Sequence, residues 1–156
     1  MPSAYGLVPE HRINDAFSGE GARLYGGRWN SPGCAVTYLS AHRSLAALEL
    51  LVHLPEKLNQ GRYVFFEIEF PENCIITLES DTFPPKWFTY PASSATREIG
   101  DRWLQESRAP ILRVPSVVIR EESNFLLNPH HSRTDEIRIS KPKRFAFDQR
   151  LLASRA

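Results

Sequence analysis

The 156 residues carry 42% apolar and 24% charged side chains, the balance of an ordinary soluble domain, which excludes a disordered chain and at this length predicts one core and one domain over residues 1–156. Nineteen lysines and arginines stand against eighteen acids, a formal charge of +1, so no global field draws the chain onto nucleic acid or an anionic membrane, and anion recognition must be local. The opening MPSAYGLVPEHRIND lacks the basic and apolar regions of a secretory signal, and no stretch reaches eighteen uncharged apolar residues, which predicts a cytoplasmic protein.

The first informative segment is GEGARLYGGRWNSPG, residues 19 to 33, which holds five of the eight glycines around Arg23, Arg28 and Trp29. No Gly-Lys-Ser/Thr follows it and the third glycine of a dinucleotide fingerprint is missing, so it is neither a Walker loop nor a Rossmann turn. What remains is permissive backbone able to approach a ligand, beside an arginine whose planar fork suits a phosphate or carboxylate. A turn-rich connection with a surface arginine is the plainer reading of the segment by itself.

CAVTYL (34 to 39) reads as a strand ending at Tyr38, whose ring serves a core or a planar ligand equally well. SLAALELLVHL (44 to 54) reads as a helix, with Ser44 as cap and Pro55 as stop. Apolar side chains surround it on most sides, so Glu49 is an anomaly, costly unless paired, hydrogen-bonded or opened onto a cleft. Either it pairs with His53 one turn on, at the solvent edge, or it is a pocket carboxylate.

RYVFFEIEF (62 to 70) and CIITL (74 to 78) read as neighbouring strands across the turn PEN. ATREIGDRWLQES (95 to 107) is an amphipathic helix with Ile99 and Trp103 on one side. ILRVPSVVI (111 to 119) is a strand interrupted by Pro115, followed by Ser116, whose hydroxyl binds a ligand or satisfies local backbone; with no GxSxG elbow it is not a hydrolase nucleophile. EIRIS and RFAF complete the strands, and the whole predicts an α+β, strand-rich fold with segregated helices. His130 and His131, with Asp135 and Glu136 nearby, suit a capped loop better than a metal site. KPKRF (141 to 145) is too small for a nucleic-acid footprint and reads as a solvated turn. Cys34 and Cys74 lack CxxC spacing and read as buried thiols, so no metal is expected.

Taken together, GEGARLYGGRWNSPG, VTYLSAHRSLAALELLVHL and VPSVVIREESNFLLNPHH resemble, in order, the blocks of the RES domain of bacterial RES/Xre toxin–antitoxin pairs, named for its Arg, Glu and Ser. FPPKW (83 to 87), EIGDRWL (98 to 104) and FDQRL (147 to 151) are similar to further segments of that family; Phe83 in place of a leucine and the charged approach to Asn124 depart from it. The resemblance implies a fold like that of ADP-ribosyltransferases and a toxin that consumes NAD by cleaving the nicotinamide–ribose bond. The resemblance further implies that ADP-ribose passes to water, phosphate or a protein, and that an Xre-like antitoxin covering the cleft holds the toxin in check. By motif position the resemblance assigns Arg28, Tyr38, Glu49 and Ser116 to catalysis, with Gly27, Asn30 and Asn124 beside Arg28, Tyr38 and Ser116 in NAD binding. In these roles Arg28 holds a phosphate or ribose oxygen, Tyr38 stacks on nicotinamide, Ser116 bonds the same end of the substrate, and Glu49 stabilises the positive charge on the ribose. The competing expectation is a non-catalytic nucleotide- or protein-binding module with the same pocket.

Overall fold

A computed structural model describes residues 1–53 and 61–152. In chain order the strands and α-helices are β1 (Ser3–Pro9), α1 (Glu20–Tyr25), β2 (Thr37–Ser40), α2 (Arg43–Leu51), β3 (Tyr63–Glu69), β4 (Ile75–Thr77), α3 (Ser94–Glu106), β5 (Ile111–Pro115), β6 (Ser123–Leu127), β7 (Arg138–Ile139), β8 (Lys143–Phe145) and α4 (Gln149–Leu152). The eight strands form one mixed sheet in the order β4-β5-β6-β2-β1-β3-β7, with β8 also paired to β3; β4 and β5 are parallel and the other pairs antiparallel. The expected α+β architecture is therefore present.

The sheet is uneven in one place. β1 matches β3 over seven residue pairs, and β2 matches β6 over four, but β1 and β2 share only the pair Tyr5↔Ser40. The sheet is thus two leaves joined at a seam, and α2 packs on both β1 and β2 across it. Alternation along the strands gives each face its own core. Leu39, Phe66, Ile68, Phe70, Ile111 and Phe125 fill one face. Leu112, Val114 and Leu126 fill the other, where they meet Trp29 and Trp103.

Several sequence expectations are corrected. β3 and β4 are not neighbours, because β1 takes one edge of β3 and β7 and β8 the other, leaving the opposite edge of the sheet for β4. The apolar run 111 to 119 ends as a strand at Pro115, which pairs with Ser123 at the end of the ladder. β1, β6 and α1 carried too little alternation to be predicted. The N-cap of α2 is His42 and not Ser44, which lies inside the helix. Leu54 and Pro55 fall outside the described residues. Cys74 is buried, whereas Cys34 is half-buried. His131 is buried with both ring nitrogens engaged, one with the Ser107 carbonyl at 2.8 Å and the other with the Arg133 amide at 3.0 Å, so it braces a loop. Lys143 and Arg144 are exposed on β8, as a solvated turn entering a strand requires.

The predicted helix 95 to 107 is observed as α3, with Trp103 buried and its Nε1 donating to the Ala109 carbonyl at 3.0 Å. Its backbone meets the glycine-rich segment directly. A Cβ added to Gly100 would lie 1.6 Å from the Trp29 carbonyl oxygen. Gly100→Ala is therefore expected to cost on the order of 3 kcal/mol or more in chemical unfolding, since backbone would have to move. Gly21→Ala, in α1 with no atom within 4 Å of the added Cβ, is expected to be neutral or stabilising by about 0.5–1 kcal/mol in the same measurement.

Candidate functional site

The glycine-rich segment resolves into a short helix and a tight turn. α1 ends at Gly26, whose φ of +72° is open to glycine at little cost, and Gly27 bridges Asn30 across the turn, with its amide donating to the Asn30 carbonyl at 3.0 Å. Arg28 and Trp29 occupy the turn and point apart. Trp29 is 2% exposed in the second core, while Arg28 remains half-buried on the wall of a cleft. Arg23, the other arginine of the segment, pairs with Glu20 on exposed α1 and plays no part there.

Four residues of α3 hold this turn. The Thr96 hydroxyl donates to the Arg28 carbonyl at 2.6 Å, and Arg97 Nε donates to the Gly27 carbonyl at 3.2 Å. Asp101 accepts both the Ser31 amide at 2.9 Å and the Ser31 hydroxyl at 2.6 Å. Gly100 is the fourth, by its close approach to Trp29. Sequence reasoning left Thr96, Arg97 and Asp101 out of the site. The available signal was the glycine inside an otherwise regular amphipathic helix, which marks close backbone approach.

Arg28 Nη1 donates to the carbonyls of Trp87 at 3.0 Å and Thr89 at 2.7 Å, so one end of the guanidinium anchors the aromatic segment 83 to 91. Nη2 and Nε have no partner among the described residues, which leaves three N–H donors for an anion. Burial lowers the Arg28 pKa, and the proximity of Glu49 and then of Tyr38 opposes that shift.

Tyr38 projects from β2 on the same face as Ser40. Its hydroxyl donates to Asn30 Oδ1 at 2.6 Å and accepts the Trp29 amide at 3.2 Å. Burial pushes the phenol pKa well up, with the Trp29 amide opposing, so it remains a donor. The residue is nonetheless 37% exposed, since the hydroxyl end is sealed while the ring lies on the cleft wall. Gly27 has to be glycine here because an added Cβ would sit 2.5 Å from that hydroxyl. Asn30 is fully buried, and its Nδ2 reaches the carbonyls of Ala22, Ser31 and Cys34 at 3.0 to 3.2 Å, so in this structure it braces the turn from within.

Glu49, on α2, stands at the seam. Its Oε1 accepts the Ser116 hydroxyl at 2.7 Å and the Asn124 side-chain amide at 2.8 Å. Asn124 is held in turn by Ser40, its cross-strand partner, whose hydroxyl donates to Oδ1 at 2.8 Å. Ser116 is 0% exposed, and its oxygen also accepts the amides of Val118 and Ile119 at 3.0 and 3.1 Å. In this structure Ser116 is thus saturated and sealed behind the carboxylate. No hydrogen bond joins Glu49 to His53 among the described residues, and Oε2 has no partner there.

These residues border one cleft of about 920 Å³ between α2, the turn, the start of α3 and the seam strands. Arg28, Tyr38, Glu49, Gly27 and Asn124 line it, together with Tyr5 and Leu7 of β1, Ser40, Tyr90 and Arg97; Asn30 and Ser116 lie behind it. Its volume falls in the range of small-molecule sites. Among the described residues, the arrangement supplies a carboxylate with one oxygen unpartnered, an arginine with three donors unpartnered and an aromatic wall.

Residues 4–148 match the RES domain family model. The chain is 38% identical over 148 residues to "Toxin Res" of Yersinia enterocolitica, covering 94% of this chain and 97% of that one. It is also 38% identical over 142 residues to the "Prs ADP-ribosylating toxin" of Sphingobium sp., covering 88% of each. Among solved structures, the M. tuberculosis MbcT–MbcA toxin–antitoxin complex contains a chain of the same fold, with a TM-score of 0.76 and 17% identity over 92% of this chain and 84% of that one. With the family match running almost end to end and such relatives on either side of it, this chain belongs to the RES domain family.

Proposed function

We propose that this protein is the toxin of a toxin–antitoxin pair, an enzyme that consumes NAD by cleaving the bond between nicotinamide and ribose. The observation that carries the proposal is the seating of Glu49, with one carboxylate oxygen tied by Ser116 and Asn124 and the other without a partner among the described residues, in a cleft shared with Arg28. The names of the relatives as toxins and as an ADP-ribosylating toxin support it.

Cleavage breaks the C1′–N1 bond. The bonding pair leaves with nicotinamide, which departs neutral, and C1′ becomes oxocarbenium-like. The free Glu49 oxygen stabilises that charge and holds a ribose hydroxyl, the role a carboxylate plays in glycoside cleavage. Arg28 offers its three open donors to a phosphate, and the Tyr38 ring stacks on nicotinamide. Water, phosphate or a protein nucleophile then completes the bond at C1′. Ser116, Asn124 and Ser40 act as positioning residues by fixing the carboxylate. No metal enters this scheme. An Xre-like antitoxin that covers the cleft supplies the inhibition that such an activity demands in the producing cell, and the toxin–antitoxin complex among the structural neighbours supports a partner of this kind.

Incubation of the purified protein, freed of any antitoxin, with NAD is expected to release nicotinamide, followed by chromatography; NAD that stays bound and intact would establish a non-catalytic binding module instead. Product masses with and without phosphate and cell extract identify the acceptor. Glu49→Gln keeps an oxygen to accept from Ser116 and Asn124, so it is expected to retain the fold and NAD affinity while turnover falls about 100- to 1000-fold. A Gln variant of full activity would remove Glu49 from the chemistry. Ser116→Ala strands the Val118 and Ile119 amides and frees Glu49, so unfolding free energy is expected to drop by about 1–3 kcal/mol and kcat to fall with KM unchanged. A rise in KM alone would return Ser116 to substrate binding.

A further inference from the structure

We propose that Arg97 is a second phosphate-binding residue of the cleft, and that with Arg28 it makes the site selective for ligands carrying a diphosphate. The proposal deepens the NAD reading and rests on it for the identity of the natural ligand. Three observations carry it.

Arg97 lines the cleft, and among the described residues its guanidinium has one partner, the Gly27 carbonyl, to which Nε donates at 3.2 Å. Nη1 and Nη2 have none among the described residues. That single bond fixes the guanidinium beside the turn that carries Arg28, and both arginines lie close enough to Tyr38 to act on its hydroxyl electrostatically.

The second observation is where Arg97 sits. It occupies the first turn of the 13-residue helix α3, which has no acidic residue in that turn. A cation at a helix N-terminus opposes the macrodipole, so the helix gains nothing from it, whereas an anion bound there satisfies both the dipole and the guanidinium.

Charge complementarity is the third. Among the described residues lining the cleft, the charged side chains are Arg28, Arg97 and Glu49, apart from the titratable His53. Two cations and one anion mirror NAD, whose diphosphate carries two negative charges and whose nicotinamide ring carries one positive charge. Arg28 alone leaves one phosphate unanswered; Arg97 completes the pair, and a forked donor set suits a phosphate better than a point charge does.

The test uses ADP, AMP and adenosine as probes titrated calorimetrically into the intact protein. ADP is expected to bind about 10- to 100-fold tighter than adenosine, as charge-assisted hydrogen bonds to a phosphate would give. Arg97→Met is expected to narrow that gap by bringing ADP affinity down to about that of AMP, while adenosine affinity stays within about twofold, with Arg97→Lys between the two. An undiminished gap in Arg97→Met, or no gap in the unmodified protein, would overturn the proposal. Should Arg97→Met fail to fold, arginine-directed dicarbonyl labelling of the unmodified protein gives the answer by peptide mapping. ADP shields Arg97 and adenosine does not if the proposal holds, and equal labelling with both overturns it. Absence of nicotinamide release alongside diphosphate-selective binding would sink the catalytic reading and leave this one standing.

Discussion

The first turns of α3 grip the tight turn at residues 27 to 31, and the geometry of the cleft depends on that grip. A carbonyl and a helix backbone approach closely enough that no side chain fits at Gly100, and Thr96, Arg97 and Asp101 then take up the polar groups that such an approach would otherwise strand. An unpaired buried carbonyl costs on the order of 1–3 kcal/mol, so each bond matters as much for avoiding a penalty as for adding attraction. With the backbone pinned, Trp29 is driven into the core and Arg28, its neighbour, can only face the other way.

The carboxylate is seated by a different device. Glu49 is partnered from strands of one leaf, through Asn124 on β6 and Ser116 just after β5, while its own helix rests on both leaves. Both donors converge on one oxygen. The asymmetry leaves the other oxygen without a competing partner among the described residues, and in the proposed reaction that oxygen is the one that would meet the developing charge. Under that proposal, preorganisation of this kind costs nothing further at the moment of reaction.

Much of this was legible in the residues. Glu49 stood out as a charge on an oily helix, and Arg28 as a fork beside permissive backbone; the structure brings both to one cleft. Ser116 and Asn30 were legible as polar residues in the right blocks, but which way each hydroxyl or amide points is a tertiary fact. Only the fold reveals that the serine's oxygen is consumed by two amides and the asparagine's by the tyrosine. β1 escaped notice because SAYGLVP mixes glycine and proline into its apolar positions, and it is recognised as a strand through its long pairing with β3. The neighbour relation drawn between β3 and β4 failed because adjacency in sequence is only a tendency, and both edges of β3 were already taken.

The seam between β1 and β2 gives the fold a mechanical property that a uniformly laddered sheet would lack. A single bridged pair, Tyr5 with Ser40, stitches the leaves, and α2 acts as the splint over the stitch. The stitching residue Ser40 is also the far end of the chain of bonds that steadies Glu49. A shift of one leaf against the other would move α2 relative to the strands that hold its carboxylate, so the alignment of the acid depends on the stitch and the splint together.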